Sequence, residues 1–199
     1  MANEPQVSNR IFTVPNLISL IRLLAIPVFW WLLLGADDLI AATILFAVIA
    51  GTDWVDGFLA RRLDQVTRLG KSLDPVADRL MIASAVIAGL IAGIVPAVIG
   101  FTLMAREVYM AGVAGWLALR GGGTLEVRWL GKLATFAVYS SIGWFYMAAI
   151  PFLEILTRPL AWVVGIGGLA LYWVTAIQYT ADTLAATSEL ESRPTREEN

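Results

Sequence analysis

An all-α integral membrane fold of six transmembrane helices is what this sequence predicts, and three observations carry the prediction. Runs of about 20 mostly apolar residues, the length a helix needs to cross a hydrocarbon core of roughly 30 Å, recur along nearly the whole chain. Of the 199 residues 58% are hydrophobic and 15% charged, with a mean hydropathy of +0.73, more than a soluble core of that size can hide. The basic residues also gather in the loops on one side of the runs, as they do in multi-pass proteins.

The elements follow in order. Residues 1–14 are a polar cytosolic segment, residues 15–184 the six-helix membrane domain, and residues 185–199 a polar, disordered cytosolic tail. The first run, about 15–35, is too long for the core of a secretory signal and lacks a small-residue cleavage pattern, so it is retained. Asn16, Ser19 and Arg22 recur on it at one-turn spacing: either that side faces protein interior, or Arg22 snorkels to the interface. A tight turn at Gly35 to Asp38 leads to a second run from Leu39 to about Leu63, followed by a short basic loop over 64–72. Asp74 then reads as an N-cap, with Pro75 at the first helical position of a third helix that ends near Gly93. Further runs span about 96–119, 129–152 and 159–184. The Gly-rich loop over 120–128 lacks the glycine spacing and strand context of a phosphate loop. Tryptophans such as Trp30, Trp31, Trp129 and Trp162 read as an interfacial belt.

Six helices put both chain ends on one side. Arg61, Arg62, Arg68, Lys71, Arg120, Arg128 and Lys132 share that side, whereas the opposite loops hold only Arg158. The basic side is therefore expected in the cytoplasm. The chain has no Cys and no His, which removes disulfides, thiolate ligands, thiol nucleophiles and imidazole bases. Chemistry is left to carboxylates, Lys/Arg, hydroxyls and a hard metal ion.

The informative stretch is 53–78, where four of the five aspartates, Asp53, Asp56, Asp74 and Asp78, fall in two pairs at helical spacing in an otherwise apolar chain. On a helix Asp53, Asp56, Gly57, Ala60 and Arg61 form one stripe of two carboxylates, a floor without bulky side chains, and a cation. Asp74 and Asp78, four apart, share a face of the next helix. A charge within a membrane helix costs about 3 kcal/mol on insertion scales, so four bare carboxylates cost on the order of 10 kcal/mol. Interface caps paired with Arg61, Arg62 and Arg79 do not require Gly57, Ala60 and Gly70 at fixed intervals. An ion pathway calls for acidic residues in the opposite halves of the helices as well. An enzyme fits better: a site between the second and third helices at the cytoplasmic side, holding Mg²⁺ or Mn²⁺, two ions where a diphosphate is to be clamped. Arginine supplies a forked phosphate donor, and a carboxylate left partly free can take a hydroxyl proton.

With Gly70 included, these eight residues resemble the complete sequence signature of the CDP-alcohol phosphatidyltransferases, and the six-helix layout extends the resemblance over most of the chain. The resemblance implies a multi-pass, homodimeric enzyme that moves a phosphatidyl group from CDP-diacylglycerol to an alcohol and releases CMP. Asp53, Asp56 and Asp74 would ligate metal. Asp78 would complete the site and deprotonate the acceptor hydroxyl. Gly57, Ala60 and Gly70 would line the cytidine pocket, and Arg61 would meet the diphosphate. The expected location is a bacterial cell membrane with the site facing the cytoplasm. The expected partners are CDP-diacylglycerol, a glycerol-bearing acceptor and membrane lipids, with no nucleic acid.

The acceptor is read from the fifth helix. Its start, Gly131 to Thr135, resembles the corresponding pattern of bacterial phosphatidylglycerophosphate synthases, except that Ala134 stands where these carry a second lysine. It also resembles actinobacterial cardiolipin synthases. Losing a cation disfavours the dianionic glycerol 3-phosphate, so the expectation is phosphatidylglycerol as acceptor and cardiolipin as product, with glycerol 3-phosphate as the alternative. Arg106, Arg128 and Lys132 are candidate acceptor-phosphate residues. Arg128 and Lys132 are equally well read as cytosolic anchors, and Arg106 as neutralised by Glu107.

Overall fold

The computed structural model describes the backbone over residues 14–63, 68–120 and 129–192, and side chains over 16–52, 76–120 and 129–185. Among the described residues there are six α-helices and no strand: α1 (Val14–Trp30), α2 (Leu39–Leu63), α3 (Arg68–Ile91), α4 (Ala97–Leu119), α5 (Trp129–Ala148) and α6 (Glu154–Ser192). Three segments are long and apolar enough by themselves to cross a membrane: Asn16–Gly35, Ala97–Leu119 and Glu154–Ala185. The chain is thus an all-α protein with membrane-spanning helices.

Helix ends follow local chemistry. α1 passes through Pro27 and closes with a wider π turn over Trp31–Gly35, where the Ala36 N–H reaches back to the Trp31 carbonyl at 2.7 Å. Asp37 then takes a left-handed φ of 54°, which a short polar side chain tolerates. Asp38 caps α2, its Oδ1 accepting the Ala41 N–H at 2.9 Å. α3 ends at Ile91, close to the expected Gly93, whose φ of 69° suits glycine. The Gly93 N–H bonds to the Leu90 carbonyl at 3.2 Å and the Ile94 N–H to the Gly89 carbonyl at 2.8 Å, closing a Schellman motif.

Four expected boundaries are corrected. α3 begins at Arg68, so Asp74 and Pro75 lie inside it rather than at its start. The good helix formers Arg68, Leu69 and Lys71 carry it through the expected loop. α5 stops at Ala148, ahead of Pro151. α6 begins at Glu154, before Pro159, and its first turn is tied by a Glu154–Arg158 ion pair at 3.2 Å. It also runs past Leu184 to Ser192.

The chain forms two compact units, Met1–Pro96 with Ile142–Arg158, and Ala97–Ser141 with Pro159–Asn199. In the first, α1 packs against both α2 and α3. Its core is an aromatic cluster of Phe29, Phe46 and Tyr146, with ring centroids 5.6 to 6.1 Å apart. The buried Tyr146 hydroxyl donates to the Ala85 carbonyl at 2.7 Å, satisfying its polar end in an apolar setting. In the second unit α5 and α6 approach closely because position 168 is glycine. A Cβ there would lie 3.0 Å from both the Val138 backbone nitrogen and its Cγ2.

Candidate active site

In the first unit, two contacts fix the register of α1 on α3. The Arg22 guanidinium donates through Nη1 to Asp78 Oδ1. Farther along both helices, Trp30 Nε1 donates to Ser84 Oγ at 2.5 Å. Both pairs advance in the same sense, so α1 and α3 run parallel, and Asp78 lies toward the end at which α1 begins. The turn over Gly35 to Asp38 and the Phe29–Phe46 contact set α2 antiparallel to α1, so its C-terminal half returns toward that same end.

Asn16, Ser19 and Arg22, which left two readings open in the sequence, are buried at 6%, 0% and 2% exposure. The polar side of α1 therefore faces protein, and Arg22 does not snorkel. An unpaired charge within such a helix costs about 3 kcal/mol, and the Asp78 carboxylate offsets it. Asp78 differs from its partner in being 33% exposed, so its carboxylate is held by protein on one side and accessible on the other.

Asp53, Asp56, Gly57, Ala60, Arg61, Gly70 and Asp74 ride on the backbone of α2 and α3, but their side chains lie outside the described residues. Arg128 lies outside them altogether. Among the described side chains no three acidic groups converge, because only Asp78 of the four aspartates is within the set. Asp78 is a partly exposed carboxylate, an oxygen donor of the kind that Mg²⁺ and Mn²⁺ take.

The second unit holds the other buried charge cluster. Arg106 Nη1 lies 3.3 Å from Glu107 Oε1, and its guanidinium stacks 3.7 Å from the centroid of the Tyr172 ring. The Tyr172 hydroxyl donates to the same Glu107 oxygen. Tyr172 is 1% exposed and was not legible as a polar partner, since one aromatic within an apolar run carries no signal. Lys132 is exposed on the first turn of α5. Ala134, two residues on, is 0% exposed. Alanine at 134 is therefore packed against its neighbours in the structure.

A family model described as CDP-alcohol phosphatidyltransferase matches residues 12–177. The chain belongs to the CDP-alcohol phosphatidyltransferase family. It is accordingly an enzyme that transfers a substituted phosphate group. Among its relatives is the CDP-diacylglycerol–glycerol-3-phosphate 3-phosphatidyltransferase of Escherichia coli strain K12, 36% identical over 176 residues, covering 83% of this chain and 88% of the relative. Proteins of the same name from Escherichia coli O157:H7 and Shigella flexneri serotype 5b match with the same identity and coverage. These names carry glycerol 3-phosphate as acceptor. They favour what the sequence offered as the alternative over phosphatidylglycerol as acceptor.

Proposed function

We propose that the protein is a phosphatidylglycerophosphate synthase, transferring the phosphatidyl group of CDP-diacylglycerol to a hydroxyl of glycerol 3-phosphate with release of CMP. The observation that carries this reading is the 36% identity, over most of both chains, to enzymes named for that acceptor. In the proposed reaction the glycerol hydroxyl attacks the lipid-bearing β-phosphorus of the CDP-lipid. A new P–O bond forms, the bond from that phosphorus to the bridging oxygen breaks, and CMP leaves with that oxygen. Asp78 accepts the hydroxyl proton on its accessible side. Asp53, Asp56 and Asp74, with Asp78, would hold one or two Mg²⁺ or Mn²⁺ ions, whose chemistry is to neutralise charge on the diphosphate and the departing CMP. Gly57, Ala60, Gly70 and Arg61 would take the cytidine diphosphate, and Lys132 or Arg128 the acceptor phosphate, Arg106 being engaged by Glu107 and Tyr172.

The site is placed at the cytoplasmic face of a bacterial cell membrane, supported by the one-sided basic loops. A homodimer belongs to the same reading, by the family resemblance. The test gives purified protein CDP-diacylglycerol with labelled glycerol 3-phosphate or with labelled phosphatidylglycerol and separates the products. Phosphatidylglycerophosphate from the first acceptor, and no cardiolipin from the second, is the expected result. Cardiolipin as the only product overturns the assignment.

A further inference from the structure

The strongest observation that the reaction does not yet use is the cation behind Asp78. Arg22 is 2% exposed and reaches across from α1 to a carboxylate that is 33% exposed on α3. An arginine serving only to neutralise charge has no reason to choose a carboxylate open on its other side. A buried guanidinium whose Nη1 takes Oδ1 does something more specific: it restricts rotation of the carboxyl group and fixes which oxygen faces outward. The register that brings the two together is set independently, since Trp30 Nε1 and Ser84 Oγ tie the same two helices farther along at 2.5 Å. Asn16 and Ser19 continue the buried polar side of α1 toward its start, so the first helix contributes a polar wall rather than a lipid-facing surface there.

We propose that Arg22 is a positioning residue for the transfer reaction: it acts through Asp78, by orienting that carboxylate toward the acceptor hydroxyl, and so makes α1 part of the active site. This rests on the reading of Asp78 as the proton acceptor given above. It assigns a role to a residue outside the aspartate stretch, 56 positions away from the group it serves.

The experiment compares Arg22→Lys, Arg22→Met, Ser84→Ala, Asp78→Asn and the Arg22→Met/Asp78→Asn double variant in the purified full chain. Turnover is read as CMP release with whichever acceptor the unmodified protein uses, so an error in the acceptor leaves the comparison intact. Arg22→Met is expected to lower kcat about 100-fold with KM for CDP-diacylglycerol changed by less than about threefold, the pattern of a misplaced reacting group. Arg22→Lys, which keeps a donor, is expected to recover to within about tenfold of the unmodified kcat. Ser84→Ala, which loosens the same helix pair without touching Asp78, is expected to stay within about twofold. Arg22→Met at unmodified kcat overturns the proposal. So does equal loss in Arg22→Lys and Arg22→Met accompanied by equal loss in Ser84→Ala, because helix packing alone then explains the effect. If the unmodified protein releases no CMP with either acceptor, the functional reading fails. The pairing itself is still decided by thermal unfolding: the Arg22 and Asp78 changes are expected to be non-additive, and additive shifts overturn it.

Discussion

Each of the two units buries an arginine against a carboxylate, and the two pairs are built differently. Arg22 takes its partner from another helix, 56 positions away, and that partner is 33% exposed. Arg106 takes the adjacent Glu107, which is 22% exposed and bonded by a Tyr172 hydroxyl while the Tyr172 ring covers the guanidinium. The second arrangement is the more closed: its carboxylate accepts from both the guanidinium and the Tyr172 hydroxyl inside an apolar span. The first is left open on the carboxylate side. What separates the two is the company of the anion: Glu107 is engaged by its sequence neighbour and by a hydroxyl, whereas Asp78 is met by an arginine from another helix and is the one given the proton-accepting role in the proposed function.

The largest effect that contrast predicts is at Asp78. Asp78→Asn is expected to lower CMP release about 1,000-fold, within the range that loss of a general base produces, while CDP binding persists. Calorimetric titration with CDP beside the turnover assay checks this. Loss of CDP binding in parallel with turnover would instead make Asp78 a metal-holding residue without a role in proton transfer.

Next is Ala134, which the sequence reads as a missing cation and the structure buries. Because position 134 is fully buried, Ala134→Lys is expected to destabilise the protein by about 3 kcal/mol, the scale of a charge placed in an apolar span, without improving use of glycerol 3-phosphate. Thermal unfolding and kcat/KM for that acceptor are the measurements. A rise in kcat/KM would restore the idea that a substrate-binding cation is missing there.

The closed cluster should respond in stability and not in turnover. Tyr172→Phe keeps the ring over Arg106 but removes the donor to Glu107, leaving a half-buried carboxylate with one fewer partner. The expected cost is about 2 kcal/mol of unfolding free energy, with kcat within about twofold of the unmodified protein. A selective loss of kcat at unchanged stability would move this cluster from structural compensation into the reaction.

Much of the architecture was legible because membrane helices announce themselves by length and apolarity, and because Asp38 and Gly93 are local signals whose geometry depends on near neighbours only. The start of α3 was misplaced for the opposite reason. Asp74 followed by Pro75 is a valid helix-start pattern locally, and the turns ahead of it made it an interior pair. For the site, periodicity showed that Asn16, Ser19 and Arg22 share a side of α1. It could not name what that side meets, since Asp78 lies on a different helix. The reading of Ala134 was limited in the same way: a motif position says which residue is absent, and not what surrounds the residue that replaces it.

The smallest predicted effect concerns Lys132, which unlike the two arginines is exposed. An exposed ammonium meeting a phosphate is worth about 1 kcal/mol once solvent screening is counted, so Lys132→Ala is expected to raise KM for glycerol 3-phosphate about fivefold. KM for CDP-diacylglycerol should not change, because the CDP-lipid is assigned to α2 and α3. Kinetics with each substrate varied in turn separate the two constants. The effect should shrink as salt is added, as an exposed charge contact does. An unchanged KM for glycerol 3-phosphate at low salt would make Lys132 a cytosolic anchor alone, and the acceptor phosphate would then have to be held by other cations.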